Sequence, residues 1–158
     1  MTLLRVLSIF MALILFTGFV SESVANERAR PNSADTRQDL LRLHNKMRLA
    51  NSKKPLRHNA KLSAAAQSYA EYLAKSGKFS HEAKGTVSSR VKKTGYDMKA
   101  VGENIAYGQE SASKVVNGWM DSKGHKENMM NKRFTEVGFG IARDKNGRLV
   151  WVTDFGDR

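Results

Sequence analysis

The chain has 158 residues, no cysteine, and 27 Lys+Arg against 15 Asp+Glu, a formal net charge of +12. The lack of cysteine excludes disulfide staples, a thiol nucleophile and thiolate metal ligation, so a domain of this size must hold together by burial alone. The positive excess favours contact with anionic material, whether envelope polymer, acidic lipid headgroup or nucleic acid, against the alternative of a merely well-solvated surface. The basic residues come only in scattered pairs, Lys53-Lys54, Lys92-Lys93 and Lys132-Arg133, with no interleaved aromatic platform, which disfavours nucleic acid.

The N-terminus reads as an export signal. Arg5 is followed by an uncharged apolar run from Val6 to Val20, and Ser23-Val24-Ala25 places small residues at the −3 and −1 positions of a cleavage site before Asn26. The run is short for a membrane span and is softened by Ser8, Thr17 and Gly18. Residues 1–25 are therefore expected to be a signal peptide, and the product to be secreted, to a periplasm or to the outside. Removal of Arg5 and Glu22 leaves the net charge unchanged. Residues 26–34 are polar and aperiodic and read as a flexible leader, and residues 35–158 as one domain, expected to be a monomer.

A first helix is predicted over Asp35 to Ala50, with Leu40, Leu43 and Met47 on one line and Pro55 beyond its end. A second starts at the N-cap Asn59, carries Leu62, Ala65, Ala66, Tyr69, Ala70 and Leu73 as a broad apolar stripe, and stops at Gly77. A short third helix spans Thr86 to Thr94, closed by Gly95, and a fourth spans Ser111 to Asp121 with Val115, Val116 and Trp119 facing inward. The C-terminal part changes period: Val137, Phe139 and Ile141 alternate, Asn146-Gly147 carries a hairpin signal, and Leu149 to Phe155 is β-rich. Helices first and an antiparallel hairpin last define an α+β class.

Short segments in a fixed order then resemble the signature of the CAP superfamily (cysteine-rich secretory, antigen 5 and pathogenesis-related proteins; the SCP domain). They are His44-Asn45-Lys46-Met47-Arg48, Phe79-Ser80-His81, Gly102-Glu103-Asn104-Ile105, the run from Trp119 to His125 with Asn128-Met129, and Phe134 to Gly140; Trp151-Val152-Thr153 with Phe155-Gly156 resembles the closing strand. The cysteine-free variety with its compact spacing from Trp119 to His125 looks bacterial.

The resemblance implies a three-layer α-β-α sandwich around a central antiparallel sheet. It also implies a cleft holding two histidines and two acidic residues, which in some members binds a divalent metal. His81 and His125 match the histidines and Glu103 the first acid; the place of the second is taken by Ser122, with Asp121 and Glu136 as nearby candidates for a fourth position. Two neutral imidazoles and a carboxylate suit Zn²⁺ or another divalent cation with a position left for water. Without metal, His81 or His125 beside Glu103 suits general-base chemistry, so His81, Glu103 and His125 are the candidate catalytic residues of a hydrolase. The hydrolase is the alternative; the first reading is a cleft that binds a divalent ion or a small hydrophobic or ionic ligand, with the basic surface contacting an anionic envelope or host partner. His44, Arg48, Asn104 and Trp119 are expected to be structural, and Gly102, Gly124, Gly138 and Gly140 to mark turns or close approaches. A Ser122–His125 nucleophilic pair is disfavoured, because no nucleophile-elbow sequence surrounds the serine.

Overall fold

The computed structural model describes residues 33–158, so the apolar N-terminal run, its cleavage site and nearly all of the leader lie outside the described residues. The chain forms α1 (Ser33–Ala50), β1 (Arg57–His58), α2 (Ala60–Ser76), α3 (Val87–Lys93), β2 (Ala100–Tyr107), α4 (Ala112–Asp121), α5 (Lys123–Met130), β3 (Glu136–Arg143) and β4 (Leu149–Asp157). The first helix begins two residues before the expected Asp35, since neither Ser33 nor Ala34 opposes a first helical turn.

The second helix follows its sequence closely. Asn59 accepts from the amides of Lys61 and Leu62, Gly77 adopts a left-handed φ of 67° that suits glycine, and all six stripe residues are buried. Thr86 and Ser111 cap α3 and α4 in the same way, through Ser89 and Lys114. The helix α5 is additional to the elements that the periodicity predicts. Gly124, expected at a turn or close approach, lies in its first turn with nothing near the place of a Cβ.

The sheet has the order β1-β3-β4-β2. The three long strands pair antiparallel as expected, while the two-residue β1 adds a parallel pairing to β3, so the sheet is mixed. At the β3–β4 connection only Gly147 has positive φ, and its amide bonds the carbonyl of Asp144. That pattern is a turn followed by a left-handed glycine rather than a two-residue hairpin with Asn-Gly at its centre.

Alternation along the strands assigns the layers. Val137, Phe139, Trp151 and Phe155 face α1, α4 and α5 and form the larger core with Leu40, Val116, Trp119 and Met129. Ile105, Val150 and Val152 face α2 with Ala66, Tyr69 and Leu73. The helix α2 lies directly on β3 because Gly138 and Gly140 have no side chains: a Cβ on either would fall 2.1 Å from the backbone of Ser63 or Ala66. These are helices on both faces of one sheet, and they leave β2 as the outer edge strand.

The buried polar residues of α1 are structural. His44 sits among the rings of Trp119, Phe139 and Phe155 at 5.3–5.8 Å, with Nδ1 2.8 Å from the carbonyl oxygen of Leu40. Arg48 donates to four carbonyls, those of Lys54 (2.7 Å), Met129 (2.8 Å), Asn131 (3.1 Å) and Phe134 (3.2 Å), tying α1 to the end of α5 and the loop before β3.

Candidate functional site

The candidate cleft is built around the edge strand β2. Glu103 and Asn104 are neighbours in sequence and therefore point to opposite faces. Glu103 enters the α2–α3 side and is buried there; Asn104 enters the α5 side, where its amide donates to the carbonyl of His125 at 3.0 Å. Asn128 donates to the carbonyl of Glu103 at 3.0 Å and to the side-chain oxygen of Asn104 at 2.9 Å. Trp119 donates to the carbonyl of Ile105 at 3.3 Å. Side chains from α4 and α5 thus occupy outward carbonyls of a strand edge that would otherwise invite pairing.

His81 reaches the site from the loop between α2 and α3, with Nδ1 2.8 Å from Oε1 of Glu103. Oε2 of the same carboxylate accepts from Nη2 of Arg90 at 2.5 Å. Arg90 is itself buried, its guanidinium stacks 3.5 Å from the ring centre of Tyr69, and it also donates to the carbonyls of His81 (3.0 Å) and Gly85. Tyr69 donates to the carbonyl of Ser80 and accepts from the amide of Ala83. Arg90 and Tyr69 therefore hold both ends of the segment that carries His81, and Arg90 neutralises the carboxylate that the histidine faces.

Asp154 stands directly opposite Glu103 in the β2–β4 register and is fully buried. Neither of its oxygens has a hydrogen-bond partner, and the Glu103 carboxylate, itself an acceptor, acts on it across the strands. Burial, and then the charge of Glu103, push the Asp154 carboxyl well above its ordinary range, so that the protonated form is favoured and can donate to Glu103.

His125 lies on α5, on the other side of β2, with Nδ1 3.0 Å from Oγ of Ser122. Burial lowers its pKa, and the neighbouring His81 lowers it further, so the two imidazoles sense each other around the strand edge. With Nδ1 engaged on each ring, the Nε2 atoms are left for a ligand; His81 is about half exposed. The two candidates for a fourth position do not join them. Glu136 is buried under the far end of the sheet, accepting from Tyr96 at 2.7 Å and pairing with Arg158 at 3.0 Å, and Asp121 is exposed at the end of α4.

The donor set decides what metal chemistry is open. Both oxygens of Glu103 are occupied, and among the described residues no group of three His, Cys, Asp or Glu side chains converges to hold an ion. Glu103 therefore orients His81 from behind, with each of its oxygens already bonded. Sequence reasoning missed Arg90 and Asp154. A lone acid inside the apolar run Leu149 to Phe155 was the available signal for Asp154; Arg90 is one basic residue of three on a short helix and gave none.

Comparison with known proteins identifies the family and the fold. The chain belongs to the Cysteine-rich secretory protein (CAP) family, whose profile matches residues 41–155. It is 29% identical over 138 residues to the uncharacterized protein YkwD of Bacillus subtilis, a match covering 85% of this chain and 52% of that protein. Its fold superposes with a TM-score of 0.74 on an extracellular SCP-domain protein from Bacillus anthracis (23% identity, 79% of this chain and 41% of the other). The TM-score is 0.69 on an outer surface protein from Borrelia burgdorferi (27% identity, 78% of this chain and 95% of the other). The chain thus spans about half the length of its Bacillus subtilis relative and less than half of the Bacillus anthracis chain.

Proposed function

We propose that this CAP domain is an exported binding module whose cleft takes a ligand or divalent ion on His81 and His125 while its basic surface contacts anionic material. The observation that carries the reading is the double engagement of Glu103. One oxygen faces His81 at 2.8 Å and the other takes the Arg90 guanidinium at 2.5 Å, with Asp154 behind. This carboxylate is buried with each oxygen already bonded, so it is not the group that would meet a substrate; the ring it orients, His81, is. The work of Glu103 is to fix that ring. The 3.0 Å contact of Ser122 with His125 is local, within one turn of chain, and His125 has no carboxylate bonded to it, so a nucleophilic pair lacks its orienting third member.

Zn²⁺, when bound, would supply a cation with water in its remaining positions, held by the imidazoles of His81 and His125. Two protein ligands make such binding weak, and acid weakens it further because a protonated imidazole cannot ligate a metal. Calorimetric titration of Zn²⁺ into wild type and into the His81→Ala, His125→Ala double variant tests the site. Heat lost in the double variant supports it, and identical isotherms remove the metal reading. Turnover of ester, peptide or glycoside substrates by wild type that disappears in His81→Gln would favour the hydrolase instead.

Export is supported by the apolar run with its small-residue cleavage site, and by relatives described as extracellular and outer surface proteins. Mass spectrometry of the exported product should find a chain starting at or near Asn26; an intact Met1 would overturn the processing.

A further inference from the structure

A second recessed site, separate from the histidines, opens where the end of α2, the loop before His81, the end of β2 and the β3–β4 turn meet. It is a groove of about 290 Å³ with Leu73 and Val150 at its floor. Of the three large apolar or aromatic side chains exposed among the described residues, two line it, Phe79 at 50% and Tyr107 at 36% exposure. Their rings lie 5.9 Å apart and tilted by 50°. Soluble domains seldom leave paired aromatic rings in water beside a cavity without a use for them.

The polar side of the groove is as informative. Tyr107 donates to Asp144 at 2.5 Å, and Arg148 pairs with the same carboxylate at 3.2 Å while lying 4.7 Å over the Tyr107 ring. Asp144 also accepts from the backbone amides of Asn146 and Arg148 at 2.9 Å. Arg148 and Asp144 therefore satisfy each other, and the hairpin end is held rigid. Lys75 and Lys145 at the rim take part in none of the described ion pairs, which leaves two ammonium groups beside the aromatic pair. Ser76 and Asn146 add short hydrogen-bonding groups.

We infer that this groove binds a carboxylated sugar unit of an acidic glycan. The C–H face of a sugar ring would pack on Phe79 and the free face of Tyr107, its hydroxyls would bond at Ser76 and Asn146, and its carboxylate would sit between Lys75 and Lys145. The groove is open at the surface, so a segment of polymer can lie across it. Nucleic acid suits it less well: bases stack on successive platforms, whereas these two rings are tilted and one face of Tyr107 is covered by Arg148. The inference rests on the basic-surface part of the proposed function and gives that surface a location and a ligand class; it does not depend on the histidines.

The test is titration of the exported protein, at low salt and followed by amide chemical shifts, with hexagalacturonate, maltohexaose, hexaglutamate and hexathymidylate. Hexagalacturonate should bind at least tenfold more tightly than each of the others and shift Ser76, Phe79, Tyr107 and Asn146. Phe79→Ala should weaken it about tenfold without moving the thermal midpoint, Tyr107→Phe should keep it, and Lys75→Gln with Lys145→Gln should weaken it and flatten its salt dependence. Equal binding of hexaglutamate, or indifference to Phe79→Ala, would overturn the groove and leave a diffuse basic surface standing. Tighter binding of hexathymidylate would overturn it in favour of nucleic acid. Binding of none of the four would remove both the groove and the anionic-partner reading.

Discussion

Glu103 and Asp154 face each other across neighbouring strands, and only Glu103 is given a cation: Arg90 lies 2.5 Å from it. Two buried carboxyls against one guanidinium balance when one of the acids keeps its proton, and the one without a donor is Asp154. The raised pKa of Asp154 has a definite stability sign. An acid whose folded pKa is above its unfolded value stabilises the fold fully below about pH 3.9 and loses that contribution as pH rises toward the folded pKa. Asp154→Asn keeps the shape and supplies a permanent donor to Glu103. It should therefore be more stable than wild type at pH 7, by on the order of 1 kcal/mol, with the difference vanishing in acid. Urea denaturation of both proteins from pH 3.5 to 7 checks it; a destabilised Asp154→Asn at neutral pH would show that the carboxyl is ionised in the fold.

Arg90 is the next link. Removing its charge leaves Glu103 buried and unpaired, so Arg90→Met should cost about 3–5 kcal/mol. Adding Glu103→Gln should restore part of that loss, because the two changes act on one contact. Arg90 also holds the carbonyls of His81 and Gly85, so hydrogen exchange in the segment 80–85 should quicken in Arg90→Met even with Glu103→Gln present. Simple additivity of the two stabilities would show that the pair is uncoupled.

The two glycines under α2 make a separate test of the layer contact. Gly140→Ala would put a Cβ 2.1 Å from the carbonyl oxygen of Ala66, and backbone cannot yield as a flexible side chain does. The helix must lift from β3, at about 3 kcal/mol or more. Gly118→Ala, on the exposed face of α4 with nothing within 4 Å, should instead stabilise by up to about 1 kcal/mol. Chemical denaturation of the two variants separates them; equal effects would mean that α2 does not rest on the strand.

What the sequence revealed follows from which forces act locally. The helix α2 is legible residue by residue, because its caps and its 3.6-residue stripe are written within one segment. Strand β2 is not legible as a strand: Gly102, Glu103 and Asn104 interrupt any apolar alternation, since the strand buries a carboxylate on one face and an amide on the other. The helix α5 is similarly obscured, with Met129 its single fully buried residue. His81, Glu103 and His125 emerge through motif resemblance, and the structure brings them around one strand edge. The roles of Arg90 and Asp154 are not legible, because they arise from a cross-strand register and a loop closure that no local pattern encodes. Glu136, close to the motif in sequence, is bonded to Tyr96 and Arg158, contacts that the sequence spacing does not encode.

The last prediction concerns acid and the core of α1. His44 is fully buried among three aromatic rings, its Nδ1–H serving the carbonyl of Leu40 and its Nε2 without a partner. Burial brings its pKa down to about 4, with the nearby charge of Arg48 acting in the same direction. The lowered carboxyls of Glu110, Glu136 and Asp144 act at lower pH and the raised Asp154 acts with the opposite sign, while His125 is also lowered. An imidazole whose folded pKa is below its unfolded value of about 6.5 favours the fold above that pH, and the contribution is lost as pH falls from 6.5 to about 4. At about 1.4 kcal/mol per pH unit, complete loss amounts to about 3 kcal/mol, a large share of the stability of a domain without disulfides. His44→Leu removes the titrating group along with the Leu40 bond. It should start about 1 kcal/mol below wild type at pH 7.5 and then hold its stability down to about pH 4.5, while wild type falls past it. His125→Asn, measured alongside, should flatten the profile less, because its ring is only partly buried. Denaturant midpoints at half-unit steps of pH decide the matter: parallel profiles for wild type and His44→Leu would place the acid sensitivity elsewhere in the fold.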